Sequence, residues 1–213
     1  MAASGRPPGY SDRVNHALAF AAKHHDREVR KGTRLPYFTA PANVAVILTR
    51  YDCDEDAVVA GVLRHAVEDM LRDGASEDGV RERLADKFGA GAVAAVLGAA
   101  RRRFDDDGVE LSHEEQKRDA LGRLAAAPAA ARWAFAAHEV HDASTLLADL
   151  RRTRFPDAVW QRVAEGSAGR VRWYAEAAER LAAVGVDDGI VEELRGAARD
   201  LEGHAGAGAA SSR

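Results

Sequence analysis

Apolar residues recur at three- and four-residue steps along most of the chain, with polar side chains between them, which is the periodicity of amphipathic helices. Ser11 suits an N-cap, and Val14, Ala17, Leu18, Ala21 and His25 then share a face, predicting a first helix to about Arg30 or Lys31. Gly32, Pro36 and Tyr37-Phe38 form a loop, and Pro41 suits the first turn of a short helix carrying Val44, Ile47 and Leu48. Asp54, Glu55 and Asp56 place negative charge where the next helix begins, as its dipole favours. In that helix Val59, Val62, Leu63, Ala66, Val67, Met70 and Leu71 cover so much of the circumference that little face is left for water.

Further along, Ser76 caps a helix with Val80, Leu84 and Phe88 that Gly89 stops, and Ala92 to about Ala100 makes another. Ser112-His113-Glu114-Glu115 reads as a capping box for a helix through Leu124, and Pro128 opens an Ala-rich segment with Trp133, Phe135, His138, Val140 and His141. Pro156 suits a helix start with Trp160 and Val163 after it, and stripes through Val171, Trp173, Tyr174, Ala178 and Leu181, then Ile190, Val191, Leu194 and Ala197, complete the pattern. No strand-like alternation, repeat or heptad is present. The expectation is a single all-α domain of about eight to ten helices over residues 11–202. Residues 1–10 read as a flexible N-terminus, and the Gly/Ala/Ser-rich residues 203–213 as a disordered tail.

Composition narrows the function classes. Thirty basic and 34 acidic residues give a net charge of -4, which favours neither nucleic-acid nor anionic-membrane binding. Any phosphate ligand must therefore meet a local basic patch. The single cysteine, Cys53, precludes an internal disulfide framework. No apolar run approaches the ~20 residues that span a bilayer, and the first ten residues lack a signal-type apolar region. The expected location is the reducing cytoplasm.

Candidate chemistry concentrates in Gly61-Val62-Leu63-Arg64-His65-Ala66-Val67-Glu68-Asp69-Met70. His65 lies one helical turn before both Glu68 and Asp69, and Arg64 one turn before Glu68, so four ionisable groups share a neighbourhood among apolar residues. An acid pair there needs a cation. An exposed i,i+4 ion pair and a functional cluster both fit this spacing.

Several stretches, read together over residues 14–184, resemble the small stand-alone HD-domain hydrolases of the SpoT type. That group includes the metazoan SpoT homologues, which remove the 3′-pyrophosphate from guanosine tetra- and pentaphosphate. The matching residues are His25 with Arg30-Lys31-Gly32-Thr33, Pro36-Tyr37, Pro41, Leu63 through Met70, Phe88-Gly89, Ala136 through Asp142, Leu147 through Arg151, and Trp173-Tyr174. The resemblance implies an α-helical HD domain with one divalent metal, usually manganese. Its four ligand positions fall here on Ala40, Arg64, His65 and His138, so every ligand has changed type. It also implies that Glu68 and Asp69 are the catalytic acid pair and that Arg30 and Lys31 grip the nucleotide, with His25 lining the pocket and Asp142 standing where the family has an asparagine.

Three readings follow. In the first, Arg64 takes the metal's place and neutralises Glu68 and Asp69; a nucleotide or other phosphorylated ligand is bound, no cofactor is needed and hydrolysis is impaired. In the second, His65 and His138, with Glu68 or Asp69 and the nearby His141 and Asp142, rebuild a manganese or zinc site and an active phosphohydrolase. In the third, an exposed basic run, Arg101-Arg102-Arg103, or the Ala-rich late helix docks a partner. His24 reads as a surface residue, the three tryptophans and Tyr174 as core, and Cys53 as inert.

Overall fold

The computed structural model describes the backbone of residues 10–210 and the side chains of residues 10–205. Among the described residues there are ten helices and no strand beyond two isolated bridges. They are α1 (Asp12–His24), α2 (Thr39–Arg50), α3 (Glu55–Arg72), α4 (Glu77–Phe88), α5 (Ala90–Ala99), α6 (His113–Arg123), α7 (Ala129–Arg152), α8 (Pro156–Trp160), α9 (Gly166–Ala183) and α10 (Asp188–Ala210).

Local chemistry starts and stops most of them where the sequence says. The Ser11 and Ser76 hydroxyls accept from Val14 N and Gly79 N, each at 3.1 Å, and the Ser112–Glu115 capping box is complete. Asp54 accepts from Ala57 N at 2.8 Å, so an acidic side chain both caps α3 and meets the positive end of its dipole. Gly89, at φ +83°, takes a conformation costly for other residues and separates α4 from α5.

α3 is the axis of the domain. Every residue from Ala57 to Arg64 is buried, because α1, α2, α5 and α7 pack around it; such a helix presents no water face. Gly61 sets the closeness of α2: a Cβ there would lie 2.6 Å from Leu48 Cδ1 and 2.8 Å from Val44 Cγ1. α7 is the second long buried element, lying against α3 and α5 on one side and α9 and α10 on the other.

Two sequence expectations need correction. α1 stops at His24 rather than near Arg30, because residues 28–37 fold back on themselves. Arg30 N bonds to Leu35 O at 2.9 Å, Tyr37 N to Glu28 O at 2.9 Å, and Gly32 turns at φ +79°; these bonds and Pro36 compete successfully with helix continuation. At the other end, α10 does not stop at Leu201 but carries its backbone through Ala210. Extending an existing helix needs no new nucleus, and alanine is the strongest helix former, so the segment expected to be a disordered tail is helical to that point. Residues 1–9 of the expected flexible N-terminus, and 211–213, lie outside the described residues.

Candidate functional site

The ionisable cluster of α3 divides around the helix. Arg64 is 3% exposed, its Nε donates to Glu68 Oε1 at 3.1 Å, and its guanidinium lies 5.1 Å from the centre of the Phe135 ring. A planar, weakly hydrated cation suits such a site, which an ammonium would not tolerate as well. Glu68 Oε1 also accepts from Arg101 N at 2.9 Å, with Arg101 Nε 3.6 Å away. Burial alone would push the Glu68 carboxyl up, but the Arg64 and Arg101 cations and the Arg101 amide hold it down to about 2. Arg64 therefore neutralises Glu68 but not Asp69, whose carboxylate meets His24 Nε2 at 3.1 Å and also contacts Arg72.

A cavity of ≈220 Å³ opens beside this pair, between α3, α6, α7 and α9. Arg64, His65, His138, Glu139 and Asp142 line it from α3 and α7; Arg101, Lys117, Arg170 and Trp173 line it from the facing elements. The His65 and His138 rings meet edge-to-face, with centroids 4.6 Å apart. His138 Nε2 lies 2.8 Å from Gly61 O, so Nε2 carries the proton and Nδ1 keeps a lone pair. Nδ1 of both His65 and His138 is buried without a hydrogen-bond partner. Burial lowers the pKa of both imidazoles, opposed at His65 by Glu68 and Asp142 and reinforced at His138 by His65 and Arg64; they stand as neutral rings at pH 7.

The opposite wall is polar as well. Trp173 Nε1 donates to Glu139 Oε2 at 2.6 Å. Burial, reinforced by Asp142, raises the Glu139 carboxyl above its usual range, against the pull of Arg64. Lys117 bonds Glu165 at 2.6 Å and its ammonium lies 4.3 Å from the centre of the Trp173 ring; Arg170 Nε lies 3.1 Å from the same glutamate. Four basic side chains thus face or flank a space that the carboxyl groups of Glu68, Glu139, Glu165 and Asp142 also border.

The sequence-predicted residues do not all converge. Arg30 ion-pairs with Asp149 at 2.9 Å in a separate groove that His141 also lines, and Lys31 is exposed. His141 therefore does not join His138 and Asp142 at the cavity. His25 is buried behind Tyr37, with ring centroids 4.7 Å apart. His24, expected at the surface, is half-buried against Asp69, because α1 packs on α3. The run Arg101 to Arg103 is not a free basic face either: Arg101 meets Glu68, Arg102 pairs with Asp119 at 2.8 Å, and Arg103 with Glu110 at 2.8 Å. Lys117, Glu139 and Arg170 were not singled out from sequence; among them only Glu139, inside the His138–Asp142 stretch, carried a signal.

The family model described as HD domain matches residues 17–129, more than half of the chain. The chain belongs to the HD-domain family. Among solved structures, this HD-domain protein is similar to a metazoan ortholog of SpoT, described as hydrolysing ppGpp and playing a role in starvation responses. The TM-score is 0.64 at 21% identity, covering 92% of this chain and 97% of that one. It is also similar to lmo0812 from Listeria monocytogenes EGD-e, with TM-score 0.58, 21% identity and coverage of 76% and 96%. At such identities the likeness speaks for the fold. No curated protein matches.

HD domains usually use a divalent metal, and the residues at the implied ligand positions of this HD-domain protein do not fit one. Ala40, in the first turn of α2, has no donor atom, and Arg64 holds a permanent positive charge beside the carboxylate that would otherwise balance a metal. His138 has one nitrogen committed to Gly61 O. What remains there is two lone pairs, on His65 and His138, too few for a closed or catalytic ion site.

Proposed function

We propose that this HD-domain protein binds a phosphorylated small molecule of the guanosine polyphosphate type in the cavity beside Arg64, and that the family's metal-dependent pyrophosphohydrolase chemistry is impaired. The observation that carries the reading is the buried Arg64–Glu68 pair at the implied metal position. A guanidinium supplies charge and donors, but it cannot bring the pKa of a bound water toward neutrality as a metal does. Lys117 and Arg170 are assigned to the phosphate, with Asp142 at the cavity wall, in preference to Arg30 and Lys31, which stand outside it. His25 then has no direct contact with the ligand. The reading needs no cofactor, nucleic acid or membrane and places the protein in the cytoplasm; no described helix is long and apolar enough to cross a membrane.

Calorimetry with guanosine tetraphosphate, without added metal, should show saturable binding, and a manganese-supplemented assay should show no hydrolysis. The variant carrying Ala40→His, Arg64→His, His65→Asp and His138→Asp should gain manganese-dependent hydrolysis. Robust turnover by the natural protein overturns the reading, as does absence of binding at high micromolar ligand.

One observation favours a second reading. The orphaned Nδ1 atoms of His65 and His138 would serve an active phosphohydrolase with a rebuilt zinc or manganese site, in which Glu68 and Asp69 would act on the attacking water. Turnover abolished by His65→Asn would distinguish it.

A further inference from the structure

Beside α3, outside the cavity lining, His24, His25 and Asp69 each offer a ligand atom within 4.8 Å of the others. The two histidines are adjacent in sequence, and on a continuing helix their side chains would point about 100° apart. Here α1 ends between them: His25 is the C-cap, at φ -103° and ψ 25°, and the two rings meet with centroids 4.6 Å apart. Asp69 arrives from α3, its Oδ2 3.1 Å from His24 Nε2.

His25 supplies the observation that asks for a ligand. It is 2% exposed, and its Nδ1 lies 3.1 Å from Glu28 Oε2. That contact puts the proton on Nδ1 and leaves a lone pair on Nε2, which is buried and has no hydrogen-bond partner. A buried acceptor left unmade is costly and uncommon. A carboxylate on one imidazole nitrogen with the other nitrogen vacant is the arrangement that orients histidines toward metals.

We infer that His24, His25 and Asp69 form a binding site for a borderline divalent cation, zinc by preference, at a place distinct from the family's metal position. Two imidazoles and one carboxylate are a donor set for tetrahedral zinc, with the fourth position left to water. Ligand atoms at zinc bond lengths sit roughly 3.4 Å apart, so the widest separation contracts by up to about 1.4 Å, within the reach of side-chain rotation. Arg72 also contacts Asp69; its side chain is largely exposed and moves to solvent when the cation enters. Glu28 fixes the His25 ring from behind. The inference stands apart from the proposed nucleotide reading, since none of its three residues lines the cavity.

The test is zinc titration of the chelator-stripped full chain against a chromogenic competitor. One equivalent should bind, with a matching rise in Tm. Cobalt(II) should give the visible bands of a low-symmetry four-coordinate site. His24→Ala and Asp69→Asn, both at half-buried positions and checked for native circular dichroism, should weaken zinc by more than about 100-fold, and Glu28→Gln by about 10- to 100-fold. His65→Asn, in the other cluster, should bind as the natural protein does. Less than about a tenth of an equivalent bound by the natural chain overturns the inference. So does binding that survives His24→Ala and Asp69→Asn but is lost in His65→Asn. Nucleotide binding in calorimetry, present or absent, bears on the other reading alone.

Discussion

The Arg64 Nε and Glu68 Oε1 atoms, 3.1 Å apart across one turn of α3, form a charge pair sealed inside the domain. Side-chain exposures of 3% and 11% distinguish it from the i,i+4 pairs of helix surfaces, which contribute only a few tenths of a kcal/mol. Removing one member of a buried pair leaves the other charge uncompensated, a loss of about 3–5 kcal/mol. Arg64→Met should fall at the low end, about 3 kcal/mol, because Arg101 still faces the carboxylate. Adding Glu68→Gln should restore most of that loss, since the amide oxygen keeps the bond from Arg101 N. Urea denaturation of both single variants and the double gives the coupling directly; additive effects would show that the pair is not an energetic unit.

Stability should fall with acid in two stages. The folded-state pKa values of His65 and His138 lie below the ordinary 6.5, so the unfolded chain takes up protons first and stability is lost as pH drops below about 6.5. Glu68 is depressed from 4.5 to about 2. Its contribution, about 3 kcal/mol at 1.36 kcal/mol per unit, is intact above pH 4.5 and lost as pH falls from there toward 2. Glu139, displaced upward, works against the first stage, because the folded chain takes up its proton above pH 4.5 while the unfolded chain does not. Chemical denaturation from pH 8 to pH 3 should show the two losses, and Glu68→Gln should flatten the lower one alone.

Gly61→Ala should destabilise although alanine is the better helix former. The added Cβ falls 2.6 Å from Leu48 Cδ1 and 2.8 Å from Val44 Cγ1, and overpacking of about 1–3 kcal/mol exceeds a helix-propensity gain of about 1 kcal/mol. A Tm drop of a few degrees is expected for a chain of this length. Leu48→Ala in the same chain should cost less than it does alone, because it vacates the contested space.

The location of the phosphate can be read by calorimetry. Lys117→Ala and Arg170→Ala should each weaken guanosine tetraphosphate by about 10-fold or more, as expected for a charge-assisted hydrogen bond of about 1.5–3 kcal/mol. Arg30→Ala, whose guanidinium is engaged by Asp149 outside the cavity, should change affinity little. The reverse pattern would move the ligand to the groove lined by Arg30 and His141.

The sequence by itself determined the elements, though not where α1 and α10 end. Serines and acids at helix starts, Gly89 and the apolar periodicity act through neighbours within one or two turns, so they can be read without the fold, and the unbroken apolar run of α3 identified the helix that had to be central. The resemblance also located Arg64, Glu68 and His138. Sequence did not reveal that Glu68 and Asp69, adjacent on α3, face different partners, one turned to Arg64 and Arg101 and the other to His24. Nor did it show that Arg30 leaves the cavity for Asp149, or that Lys117, Arg170 and Trp173 close it. Apart from Arg64–Glu68, one turn apart on α3, those pairings join residues tens of positions apart and depend on how α1, α6, α7 and α9 dock on α3, where burial and opposite charge, rather than local spacing, choose each partner.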